Sequence, residues 1–137
     1  MMYSQNGAAQ YRAVRSHGLV ADASPTRLVQ IMFEHIQSNL ATAQGCMDRI
    51  KDNLPLNEVM AKGKAVGKAV RLIGQLNGTL DMERGGQISE NLHNLYLYML
   101  GRLTTANVNN DAVLVGEVAN LVRTIKNGWD QIVTDRR

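Results

Sequence analysis

The chain has 137 residues, 45% hydrophobic but only 4% aromatic, with a formal net charge of +3. That is enough chain for one domain with an aliphatic core, and its charge is too small and too evenly mixed for a nucleic-acid footprint. One cysteine, Cys46, excludes an internal disulfide. No apolar run approaches the ~18 residues of a membrane span. Residues 1–7 lack the basic region and apolar run of a secretory leader, so the expected compartment is the cytosol.

Residues 1–23 are small and polar and are expected to form a flexible N-terminal arm. A short helix over 8–17, carrying Tyr11 and Val14, is marginal in water by itself. Ser24-Pro25 is a helix start, a side-chain cap followed by a proline in the first turn. The helix that follows is expected over 25–51, with Leu28, Met32, Ile36, Leu40, Ala43, Met47 and Ile50 as its apolar stripe. After a loop ending at Pro55, a second helix is expected over 56–80, buried through Val66, Ala69, Val70, Ile73, Leu76 and Leu80. Gly63, Gly67, Gly74 and Gly78 share its shoulder, and Lys64, Lys68 and Arg71 lie beyond them.

The Asp81–Gly86 stretch reads as a turn. A third helix over 87–106 has Ile88, Leu92, Leu95, Tyr96, Met99, Leu103 and Ala106 inward, while Leu97 and Leu100 point elsewhere. Asn107–Asn110 turns the chain, and Asn110 or Asp111 caps a fourth helix over 112–134. That helix is striped by Leu114, Val115, Val118, Leu121, Val122, Ile125, Trp129 and Ile132. The expected fold class is all-α, an antiparallel four-helix bundle over 24–137 with a short mobile N-terminal helix or arm.

Chemistry has little to work with. His17, His35 and His93 lie in separate elements, no His/Cys/carboxylate pair has metal-ligand spacing, and the inward faces are aliphatic. No catalytic residue, cofactor site or metal site is therefore expected. Cys46 sits among Ala43, Met47 and Ile50 as a small buried hydrophobe. The Lys62, Lys64, Lys68, Arg71 cluster reads as a solvated helix face, with an acidic partner or nucleic acid as the sharper alternatives. The glycine shoulder has two readings, close packing on a neighbouring bundle helix or a docking groove for a partner's helix. Two leucines beside tyrosine and methionine on a helix that already has a core face suggest an apolar binding patch.

Several motifs together resemble the flagellar secretion chaperone family FliS. Ala23-Ser24-Pro25 with Leu28 and Met32-Phe33 is similar to the start of that family's first long helix. Gly85-Gly86-x-Ile88-x-Glu90-Asn91-Leu92, Leu95-Tyr96-x-Tyr98-Met99, Leu103 and Ala106-Asn107-x-x-Asn110-Asp111 resemble its central signature. Glu117-Val118, Trp129, the Met-Tyr start and Tyr11 fit as well. The resemblance implies a non-enzymatic cytoplasmic chaperone. Such a protein binds the disordered C-terminal segment of flagellin as helices in apolar grooves, prevents premature polymerisation and delivers it to the flagellar type III export gate. It also implies that the N-terminal arm moves, covers a groove when no client is bound, and uses its tyrosine, Tyr11 here, on the export gate or on flagellar regulatory proteins.

Two departures stand out: Ala8 where some relatives carry a larger aliphatic residue, and Leu97 where relatives often carry a charge. The expected partner-binding residues are Tyr11, Tyr96, Leu97, Tyr98, Leu100, Gly63, Gly67 and Gly74. Asn107, Asn110 and Asp111 are expected to fix the turn between helices three and four. Neither membrane insertion nor nucleic-acid binding is expected. A structural or dimerising helical-bundle adaptor, in effect a homodimer without a flagellin client, is the alternative, and a small basic nucleic-acid module on the second helix is a further one.

Overall fold

The computed structural model describes residues 24–50 and 55–135. The arm over 1–23, with Ala8, Tyr11 and His17, lies outside them. The described chain is four helices: α1 (Pro25–Arg49), α2 (Leu56–Gly78), α3 (Gly86–Asn109) and α4 (Ala112–Asp135). The all-α bundle expected from the sequence is what forms, with boundaries within two or three residues of those expected.

Helix α1 begins as its sequence dictates. Ser24 is extended, its hydroxyl accepts from the Arg27 amide at 3.2 Å, and Pro25 fills the first helical position where no amide is needed. The helix ends at Arg49, and Ile50 is the extended cap residue rather than the last member of the stripe. Between α2 and α3 the Asp81 carboxylate accepts from the amides of Glu83 and Arg84 at 3.2 and 3.0 Å and closes the turn. The glycine pair there has two distinct causes. A Cβ on Gly85 would lie 2.7 Å from the Asp81 carbonyl and against the Ser89 side chain, while Gly86 adopts a φ of +55°.

At the other end, Asn110 takes the left-handed conformation (φ 51°) that stops α3, and its amide group donates to the Met47 carbonyl at 3.1 Å. Asp111 then caps α4, its carboxylate accepting from the Val113 and Leu114 amides, each at 3.1 Å. Of the two residues offered as the cap of the fourth helix, Asp111 takes that role, while Asn110 fixes the turn by ending α3.

The helices form an antiparallel ring in which α1 packs on α2 and α4, and α3 packs on α2 and α4. Trp129 donates its indole N–H to the Thr26 carbonyl at 3.2 Å, and Gln30 donates to Asp130 at 2.9 Å, tying the start of α1 to the end of α4. The core is aliphatic, led by Leu28, Met32, Ile36, Leu40, Ile73, Leu76, Met99 and Leu103. Among the described residues α3 carries the most exposed large hydrophobic side chains, Ile88, Leu97, Tyr98 and Val108.

Three expectations are corrected here. Ile88 and Ile132, read as inner-face residues, are 67% and 44% exposed, because they sit in the end turns of α3 and α4 where the bundle no longer closes over them. Leu100 is only half-exposed and packs on the core, whereas Leu97 is exposed. Lys62 is buried rather than part of a solvated basic face, and its ammonium donates to the Asn107 carbonyl at 2.9 Å.

Candidate functional site

Along the flank of α3 that faces α4 runs an apolar groove of about 220 Å³. Its walls are Ile88, Leu92 and Tyr96 of α3 and Ile125, Gly128, Trp129 and Ile132 of α4, and Phe33 of α1 is the floor. Phe33 and Tyr96 are almost fully buried, so the base is fixed by the core, while Ile88 and Ile132 stand up at the rims. Gly128 carries no side chain to fill the space, and a Cβ there would meet nothing within 4 Å. A trough with a rigid floor and exposed aliphatic rims offers shape and desolvation but no reactive group, which is what an amphipathic helix needs in order to dock.

Phe33, Ile88, Trp129 and Ile132 were not legible as binding residues. Periodicity assigns Ile88, Trp129 and Ile132 to the core stripes, and only their position near helix ends or beside Gly128 hints that the stripe outruns the bundle, while Phe33 lies beside the expected α1 stripe and outside it.

Tyr96, Leu97, Tyr98 and Leu100 are separated by the helix. Tyr96 lines the groove and Leu100 supports the core, whereas Leu97 is exposed. Tyr98 lies on the α4 side, where its hydroxyl donates to the Glu117 carboxylate. Arg102 pairs with the other Glu117 oxygen at 3.3 Å and stands over the Tyr98 ring at 5.6 Å. The hydrogen bond to Glu117 raises the Tyr98 phenol, and the bonds from Tyr98 and Arg102 hold the Glu117 carboxyl below its ordinary range. This trio clasps α3 to α4 on the outside of the bundle.

The glycines settle one of their two readings. Among the described residues an added Cβ at Gly63, Gly67 or Gly74 would meet nothing within 4 Å, so they are not there to let a bundle helix pack closely. They leave an open strip along α2.

The remaining candidates for chemistry are quiet. Cys46 is buried as expected, and burial followed by the nearby Glu58 pushes its thiol up, away from the reactive thiolate. His93 bonds the Asn77 side chain at 2.9 Å, and His35 is exposed. Among the described residues no three His, Cys, Asp or Glu side chains converge as for a metal, and no helix is long and apolar enough to cross a membrane.

Fold and groove together define a small helical-bundle protein with an apolar surface groove. Residues 7–136 match the family model described as flagellar protein FliS. The chain is 40% identical over 131 residues to flagellar secretion chaperone FliSB of Pseudomonas aeruginosa, covering 96% of this chain and 98% of that one. It is 37% identical over 132 residues to flagellar secretion chaperone FliS of Salmonella typhimurium, covering 96% and 93%. For the Escherichia coli protein of the same name the values are 33% over 131 residues, covering 95% and 91%. The chain belongs to the FliS family of flagellar secretion chaperones, a family of chaperones and not of enzymes.

Proposed function

We propose that this chain works in the cytoplasm, binding the disordered C-terminal segment of flagellin, preventing its premature polymerisation and presenting it to the flagellar type III export gate. The observation that carries this is the groove between α3 and α4, an apolar trough with two exposed isoleucines in a chain that belongs to a family of secretion chaperones. A helix of the client laid in the trough covers Ile88 and Ile132 and removes their methylenes from water. Covering a side chain as exposed as Ile88 contributes about 1–2 kcal/mol. The client must order as it binds, which takes back part of that gain and keeps the complex releasable.

We propose further that the arm over 1–23, which lies outside the described residues, competes with the client for this groove. Trp129, in the groove wall, bonds the carbonyl of Thr26, so the described chain begins beside the groove. Arm and client then exclude each other, and Tyr11 is freed for the export gate or a flagellar regulatory protein when the client is loaded.

The test is calorimetric titration of the full chain with a flagellin C-terminal segment at two salt concentrations. Saturable binding with a negative heat-capacity change, gain of helix and little salt dependence is expected. No binding at either salt, together with concentration-dependent stability, would favour the dimerising adaptor instead.

A further inference from the structure

The flank of α3 opposite the groove carries a second unpartnered surface. Two side-chain bonds, Lys62 to Asn107 at 2.9 Å and His93 to Asn77 at 2.9 Å, set α2 and α3 antiparallel and in register along this side. At roughly 100° per residue, Met60, Gly67 and Gly74 of α2 fall on the outward face beside the seam, and Leu97 of α3 falls on the other side of it. Met60 is 64% exposed and Leu97 48% exposed. The glycine positions open to solvent rather than to protein, so the strip between them is a shallow apolar trench.

The trench has a charged margin on one side only. Lys64, Lys68 and Arg71 are all exposed and run along the α2 edge away from α3. Among the described residues none of the three makes an ion pair or a side-chain hydrogen bond. The sole acid of α2, Glu58, is already paired with Arg49 at 2.8 Å. Across the seam, the outward residues of α3 beside Leu97 are the neutral Asn94 and Gly101, with one exposed acid, Glu90, two turns away toward the start of α3. The surface is therefore apolar in the middle, cationic along the α2 margin, and uncharged on the α3 margin beside Leu97.

We infer that this α2–α3 face is a second docking site, for an amphipathic helix with a small apolar face and a row of acidic residues along one edge. That helix belongs to a partner protein other than the client segment held between α3 and α4. Charge complementarity identifies it. Three cations on one margin of an apolar strip fix both the sign of the partner's edge and the side on which it lies. A nucleic acid fits less well, since the strip presents aliphatic groups and no aromatic ring for bases to stack on. Because the two faces lie on opposite flanks of α3, both are occupied at once.

The probe is a labelled, helix-stabilised peptide with an Ala/Leu face and glutamates along one edge, compared with its lysine-edged counterpart by fluorescence anisotropy on the full chain. The glutamate peptide should bind at least about tenfold more tightly than the lysine peptide, as expected for a complementary charged rim. The triple variant K64E/K68E/R71E should reverse that preference, and Gly67→Leu should weaken both peptides by blocking the trench. Circular dichroism should show both variants folded, and titration with the flagellin segment should be unchanged in both. Equal binding of the two peptides, no binding of either, or indifference to these substitutions would overturn the inference. So would a single-stranded oligonucleotide that binds more tightly than the glutamate peptide and is lost steeply with salt, or a parallel loss of flagellin-segment binding, which would make this face part of the client site.

Discussion

The ammonium of Lys62 lies inside the bundle, 2.9 Å from the carbonyl of Asn107, one of the carbonyls at the end of α3 that no helical amide can reach. A cation there answers both the unpaired acceptor and the negative end of the helix dipole. Lys62→Met keeps the length and apolar stem of the side chain and leaves that carbonyl alone. The variant should unfold in urea with about 1–2 kcal/mol less stability. An unchanged midpoint would mean that water satisfies Asn107 equally well.

The open glycines of α2 should behave opposite to the glycine of the turn. Gly67→Ala adds a methyl that meets nothing within 4 Å and removes backbone freedom from the unfolded chain. It should raise stability by about 0.5–1 kcal/mol. Gly85→Ala should lower it, since the methyl would lie 2.7 Å from the Asp81 carbonyl and against Ser89. Thermal melts of the two variants suffice, and a destabilised Gly67→Ala would mean that the α2 strip is packed against something in the intact chain.

How far the sequence could be read depends on the range of the interaction. The caps by Ser24 and Asp111 were legible because they act over two or three residues, through side chains whose hydrogen bonds are local. The core of α1 was legible because one helix face repeats. Ile88 and Ile132 were misread for the same reason in reverse. Periodicity reports which face a residue is on and not how far along the axis the neighbouring helix continues to cover it. Lys62 was misread because its partner lies 45 positions away, and nothing local marks a lysine as the cap of another helix. The glycines showed a groove or a tight contact, and only the empty space beside them decides between the two.

The clasp of Tyr98, Glu117 and Arg102 should leave a signature in pH. Glu117 has its folded-state pKa lowered, so its contribution is present above the ordinary carboxylate range and lost as pH falls through the lowered value. Tyr98 has its pKa raised, so its contribution is present below the ordinary phenol range and lost as pH rises. The stability difference between wild type and Tyr98→Phe should therefore be greatest near neutral pH and shrink on both sides. Urea midpoints measured across the pH range check this. A difference that stays flat into acid would mean that the clasp does not persist in solution.

Trp129 is the chain's single tryptophan and stands in the wall of the α3–α4 groove, so it reports on whatever fills that groove. Titration with a flagellin C-terminal segment should change its emission, saturating with the calorimetric isotherm. Ile88→Asp places a charge on an exposed rim position, so the fold should persist while the groove loses its apolar edge. The aspartate must be desolvated by an incoming helix face, and affinity should fall at least about tenfold. Ile132→Asp should do the same from the opposite rim, and K64E should not. If the client still binds the Ile88 and Ile132 variants normally while Trp129 emission stays constant, its helix lies elsewhere on the bundle. If emission changes but affinity is unaffected, the groove is being vacated by another segment of the chain rather than filled by the client.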